Sequence, residues 1–166
     1  MLASAPNIFI YYLDRLAFIL QKIDVMAGDE TLQARLTDDM LPLINHVRAC
    51  ANFSLRGCCP LIGQPAVSFE NEINSFDGLQ QQIEQTIAYL NSLVITEANL
   101  PKSVQDKAGF ATVTLGPYEY LFQYIFPNFY FHLNMVYAIA RQQGVPLSKQ
   151  DYDAYHKYPT GFSFER

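Results

Sequence analysis

Two histidines and an asparagine have the residue types and the spacing of a candidate metal site. Asn128 and His132 stand four residues apart in a long apolar stretch. On an α-helix both side chains therefore share one face and point inward. His46 falls on the apolar side of another helical pattern. A buried imidazole or amide is costly unless a hydrogen bond or a metal ion satisfies it.

These three side chains would bind a divalent ion such as zinc, nickel or iron, because imidazole nitrogen is a favoured ligand of all three metals. Asn128 is the weak member, since a neutral amide oxygen suits harder ions better. Cys50 follows His46 by one helical turn and offers a thiol to the same region. The competing interpretation is that both histidines are ordinary core residues whose nitrogens bond to side chains such as Asn128, Tyr124 or Tyr137.

Other catalytic patterns are missing from the sequence. It contains no Gly-rich phosphate loop, no His-Glu-x-x-His pair, no nucleophile elbow and no repeated Cys-x-x-Cys. Adjacent cysteines such as Cys58 and Cys59 strain a mutual disulfide, and three cysteines are an odd number. Because no export signal precedes them, we expect reduced thiols in a cytoplasmic protein.

Composition limits the class of protein and its partners. The 166 residues fit a single domain, 1–166, and half of them are hydrophobic. Lysine and arginine total 11 against 16 acidic residues, so the net charge of -5 offers no broad attraction to nucleic acid. No charged residue occurs between Glu119 and Arg141, a length that would reach across a membrane. The polar residues inside this stretch would be expensive against lipid, so we expect a central helix of a bundle and no membrane span.

Four helical patterns organise the chain. The first covers about 4–26 and ends before Gly28. The second is capped by Thr37, Asp38 and Asp39, holds Pro42 in its first turn and runs to about Gly57. The third covers about 76–93 with its glutamines largely outward, and the fourth about 117–143 with a kink near Pro127.

The connections complete a predicted all-α four-helix bundle. Pro60, Gly63 and Pro65 mark a long crossover between helices two and three. Residues 110–115 alternate and are rich in β-branched types, which predicts a short β arm or half of a hairpin before helix four. The tail, about 147–166, carries several aromatic residues and either wraps the bundle or contacts a neighbouring subunit.

Two segments resemble a known family: Asp39-Met40-Leu41-Pro42-Leu43 and Pro127-Asn128-Phe129-Tyr130-Phe131-His132, the latter continuing to Gly144. They are similar to an uncharacterised bacterial branch of the DinB and YfiT-like superfamily, over nearly the whole chain. Members of that superfamily are four-helix bundles, often dimeric. One histidine of their helix two and a His-x-x-x-His pair of helix four bind a divalent metal. Some are thiol transferases or hydrolases.

The resemblance places His132 on the second histidine of that pair, Asn128 on the first and His46 on the histidine of helix two. The stretch Leu133-Asn134-Met135 departs from the Arg-Gly-Gln that commonly follows the pair. What the resemblance implies is a homodimer with a weak or degenerate metal site and a hydrolase or thiol-transferase activity on an unknown small molecule. The alternative is a non-catalytic, metal-free homodimeric binding or assembly module. A thiol-handling role of Cys50 or Cys58 is a third hypothesis.

Overall fold

The computed structural model describes residues 1–159 and 161–163 of the chain. Four long helices and one hairpin dominate it, which confirms the predicted helical bundle with a β arm. The helices are α1 (Ala5–Ala27), α2 (Leu43–Cys58), α3 (Phe76–Ser92), α4 (Pro117–Glu119), α5 (Phe126–Gln142) and α6 (Lys149–Asp153), and the strands are β1 (Val104–Ala108) and β2 (Ala111–Leu115).

The ends of α1 and α2 follow local backbone chemistry. Gly28 ends α1 with φ at 74°, and its amide donates to the carbonyl of Ile23. The predicted cap of α2 is wrong. Pro42 is the N-cap with an extended backbone, and the helix begins only at Leu43, whose amide donates to the carbonyl of Ala34 at 2.9 Å.

Helix α3 matches its predicted span, but one of its glutamines lies on the other side. Ser75 caps it by accepting a hydrogen bond from the amide of Gly78. Gln82 was expected to face outward, and it is only 2% exposed. Gln80 donates to the carbonyl of Ala17 on α1 at 2.9 Å. The side-chain amide of Gln80 therefore lies in the contact between α1 and α3.

The crossover and the hairpin connect the long helices. A 3-10 turn, Cys59–Ile62, leads into an irregular segment that Arg48 fastens by donating to the carbonyl of Asn71 at 2.9 Å. The antiparallel pairing of β1 and β2 runs from Val104 opposite Leu115 to Ala108 opposite Ala111. Gly109, with φ at 61°, opens the two-residue turn, as glycine does in tight hairpins.

Helix four differs from its prediction at the turn before Pro127. Instead of one α-helix with a kink, α4 passes into a π-helical segment, Tyr120–Ile125, and then into α5. Pro127 lacks an amide hydrogen and its ring crowds the preceding turn, which the wider π turn relieves. The hydroxyl of Tyr120 lies 2.9 Å from both the carbonyl of Arg56 and the Asp106 carboxylate. The irregular turn is thus tied to α2 and to the hairpin.

Helix α2 lies against α5, and α1 lies against α3. Gly57 permits one close approach, because a Cβ there would stand 2.7 Å from Ile125 Cγ2 and 3.3 Å from the ring of Phe9. The tail wraps the bundle, since α6 packs on α1; its aromatic residue Phe164 lies outside the described residues. Within the described chain, no helix combines the length and the hydropathy needed to cross a membrane.

Candidate functional site

The two histidines predicted from the sequence meet between α2 and α5. His46 stands in the first turns of α2 and is 1% exposed, whereas His132 lies in the middle of α5 and is half-buried. Their Nδ1 atoms are 2.8 Å apart. At this distance one ring donates a hydrogen and the other accepts it, so each histidine is the other's partner.

Burial keeps both rings neutral near pH 7. Burial first, and the neighbouring His46 second, lower the pKa of His132 to about 4. Burial also lowers the pKa of His46, while the backbone carbonyl of Leu41 acts the other way. A neutral imidazole retains a lone pair, which is the form that binds a metal ion.

His46 also carries a buried nitrogen without a hydrogen bond. Its Nε2 has no partner of acceptable geometry in the described part of the chain. The backbone carbonyl of Leu41 raises the pKa of the ring, but it forms no hydrogen bond with Nε2. A buried polar atom in this state costs free energy, so the pair is incompletely satisfied by the protein alone.

Asn128 is near the site in sequence, but its amide is partly committed elsewhere. Its Nδ2 donates to the carbonyl of Tyr124, one turn back, at 2.7 Å. Its Oδ1 accepts no hydrogen bond from the described residues. The bonds from the histidines to Asn128, Tyr124 or Tyr137, which the competing interpretation named as examples, do not form. The hydroxyl of Tyr124 contacts the Lys107 carbonyl at 3.1 Å.

The donor set fits a divalent ion in part. In the described chain, no three histidine, cysteine, aspartate or glutamate side chains are grouped to hold a metal. Two nitrogen ligands of one tetrahedral zinc ion lie about 3.3 Å apart. The observed 2.8 Å therefore requires the rings to separate by about half an ångström. Asn128 Oδ1 and water would have to complete the coordination.

Cys50 does not supply a thiolate to this site. It is fully buried, and its sulfur donates weakly to the carbonyl of Phe129 at 3.7 Å. Burial raises the pKa of its thiol far above neutrality, and the same holds for Cys58. Cys59 is buried as well. Protonated, enclosed thiols are poor nucleophiles and poor metal ligands, which weighs against the thiol-handling hypothesis.

Sequence reasoning missed the groups that hold His132 from outside. The ring of Phe53 stacks on His132 with centroids 5.5 Å apart, and the guanidinium of Arg56 lies 4.5 Å above Phe53. Arg56 in turn donates to Asp106 of β1 at 2.7 Å and to the hydroxyl of Tyr124. The sequence signal for Phe53 is the stripe of His46, Cys50 and Phe53 on one face of α2, with spacings of four and three residues. Asp106 gives no such signal, because it is fifty positions away from Arg56.

The third histidine, His156, lies in the tail and not between α2 and α5. Its Nδ1 lies 2.5 Å from the carboxylate of Asp153. Its side chain remains 45% exposed. It is not part of the histidine pair and offers a matched control for experiments on it.

Comparisons with known proteins agree with this fold. The family described as a domain of unknown function, DUF1993, matches residues 3–153. A crystal structure of a DinB family member protein from Shewanella denitrificans superposes with a TM-score of 0.80 and 26% sequence identity, covering 96% of this chain and 95% of the other. No curated protein matches at a significant level.

Proposed function

The chain belongs to the DUF1993 family, an uncharacterised DinB-like family, and from that premise we propose that its histidine pair is a weak binding site for a divalent metal ion. The observation that carries the proposal is the approach of the two Nδ1 atoms to 2.8 Å from facing helices. Two neutral imidazoles aimed at one point are rare in a core unless they share a proton or an ion.

His46 and His132 would hold the ion through nitrogen, and Asn128 would supply an amide oxygen. Zinc, nickel and iron accept such nitrogen ligands. With only two imidazoles and no carboxylate or thiolate, the affinity would be lower than at a site with three strong ligands. Phe53 and Phe131 flank the rings, so the pair is shielded on two sides and open where His132 is exposed.

A bound ion would supply a Lewis acid or a water of lowered pKa. The reaction class that follows is hydrolysis or thiol transfer on a small molecule. In this reading Phe53 fixes the plane of the His132 ring, and Arg56 holds Phe53 in place. These residues orient the ligand and take no part in proton transfer.

The test is metal content by elemental analysis of untagged protein purified without chelator, followed by titration with zinc and nickel. We expect wild type to bind about one ion per chain and His132→Ala to lose it. His156→Ala is the matched control, because it removes an exposed histidine outside the pair. If His132→Ala retained the metal with unchanged affinity, the site would be elsewhere.

Asn128→His provides a gain of binding that does not depend on damaging the core. It places a third imidazole four residues before His132, on the same face of α5. We expect zinc affinity to rise at least about tenfold. An unchanged affinity, together with wild type that rejects both metals, would contradict the proposal.

The second candidate is a metal-free homodimeric assembly module. The observation in its favour is the same contact, because a direct hydrogen bond between two neutral histidines satisfies one nitrogen of each without an ion. Sedimentation would report a mass of twice the 18.9 kDa chain. A metal-free dimer would favour this candidate, and a metal-loaded protein would favour the first.

A further inference from the structure

We propose that a surface pocket beside α6 binds a small organic anion with a flat apolar body. The pocket lies where the end of α5, the start of α6 and the tail meet, and it encloses about 650 Å³. Ligand sites in proteins commonly have volumes of about 300–1,000 Å³. The volume therefore suits a molecule with one or two rings.

The positive charge of the residues that line the pocket favours an anionic ligand. Arg141 and Lys149 both line the pocket, and the described lining residues include no aspartate or glutamate. Neither cation forms an ion pair in the described part of the chain. The protein as a whole carries a net charge of -5, whereas the described charged residues of this pocket are positive.

The carboxylate of Asp151, on the helix beside the pocket, is already neutralised. Asp151 Oδ1 accepts from Lys22 Nζ at 3.0 Å. Its Oδ2 accepts from the amide and the hydroxyl of Ser148, at 2.6 and 3.0 Å. Asp151 therefore compensates Lys22 and leaves Arg141 and Lys149 available to a ligand. Arginine and lysine bind carboxylate, sulfonate and phosphate groups through charge-assisted hydrogen bonds.

Part of the pocket wall is apolar and flat, and the rest is formed by polar side chains. Leu147 is 3% exposed, and the half-buried ring of Tyr137 donates its hydroxyl to the Leu147 carbonyl at 3.2 Å. On the tail side, the rings of Tyr158 and Phe162 stack 5.0 Å apart and nearly parallel, at 8°. Such surfaces favour a planar group, while the two cations hold its charged end.

This pocket is separate from the histidine pair. Tyr137 follows His132 by five residues, which is roughly 140° around a helix. One face of α5 thus carries the imidazole and another carries the pocket. If the histidine pair binds no metal, the proposal for the anion pocket is unaffected. If the pocket binds no anion, the proposal for the metal site is unaffected.

Calorimetric titration of the full chain with three probes tests the site: 2-naphthoate, its neutral counterpart 2-naphthamide, and inorganic phosphate. We expect naphthoate to bind most tightly, at least about tenfold better than naphthamide. Phosphate alone should bind more weakly than naphthoate, because it lacks the apolar body. Amide shifts in NMR spectra should map to residues 147–150.

The double variant Arg141→Gln, Lys149→Gln should weaken naphthoate binding at least about tenfold and leave naphthamide binding unchanged. The matched control is Arg35→Gln, Lys102→Gln, which removes the same charge from two exposed positions outside the pocket. The proposal is overturned if naphthoate does not bind at millimolar concentration. It is also overturned if naphthamide binds equally well, or if both double variants bind naphthoate alike.

Discussion

The imidazole of His132 loses its affinity for protons when the chain folds, and this couples stability to pH. Its pKa is about 6.5 when free of the fold and about 4 within it, mainly because of burial. The unfolded chain therefore binds more protons between these values. The contribution of His132 to the stability of the fold is fully present above pH 6.5 and is lost as the pH falls toward 4.

We expect the free energy of unfolding of the metal-free protein, measured by urea titration with a chelator present, to decrease steadily from pH 6.5 to pH 4. His46 should add to the same slope, because burial lowers its pKa too. His132→Gln should flatten the dependence, since glutamine does not titrate. Equal slopes for wild type and variant would contradict this assignment.

Single residues show where sequence reasoning works and where it stops. Helical spacing was sufficient to place His46 and His132 on inward faces, and both are at the α2–α5 contact. Spacing says nothing about which atoms meet, so the Nδ1 contact and the Asn128 bond to Tyr124 could not be predicted. Gln82 was misplaced because its polar side chain predicts exposure, whereas the fold leaves it only 2% exposed.

At the scale of elements, the close approach of α2 to the π turn depends on a glycine. Gly57→Ala should lower the free energy of unfolding by about 1–3 kcal/mol, because Ile125 and Phe9 leave no room for a methyl group. This overrides the higher helix propensity of alanine. Urea unfolding of both proteins measures the difference.

Gly116→Ala is the matched control for that experiment. Gly116 has an ordinary extended backbone, with φ at -61°, and the nearest atom to a new Cβ is a Glu119 oxygen at 3.7 Å. We expect a change within about 0.5 kcal/mol or a slight stabilisation. Similar losses for the two variants would mean that the packing around Gly57 is looser than described.

The elements themselves were largely predictable, and their irregular parts were not. Hydrophobic periodicity and Gly28 determined the span of α1, and a β-branched run indicated β2. The cap of α2 was missed because the amide of Leu43 bonds to the backbone carbonyl of Ala34 and not to a capping side chain. The π turn before Pro127 depends on tertiary contacts of Tyr120 that no local pattern reveals.

At the scale of the whole molecule, hydrogen bonds join α1 to α6 near the other end of the chain. The side chain of Arg15 donates to the carbonyl of Asp151 at 2.6 and 2.9 Å, across 136 positions of sequence. The hydroxyl of Tyr11 donates to the carbonyl of Asp153 at 2.7 Å, and Lys22 pairs with Asp151. The resemblance to a bundle family predicted none of these bonds, because the tail was assigned no helix.

A comparison of two arginines distinguishes the long-range bonds between α1 and α6 from ordinary surface contacts. Both Arg15 and Arg35 donate to backbone carbonyls, but Arg35 reaches only Met40, five residues away, and is exposed. Arg15→Ala should cost about 1–2 kcal/mol of unfolding free energy, whereas Arg35→Ala should stay within about 0.5 kcal/mol. Arg15→Ala should also speed proteolysis within 145–159, because α6 loses its hold on α1. If both variants unfolded and were cleaved alike, the tail would be docked by its apolar contacts alone, with Leu147 and Tyr152 as its anchors.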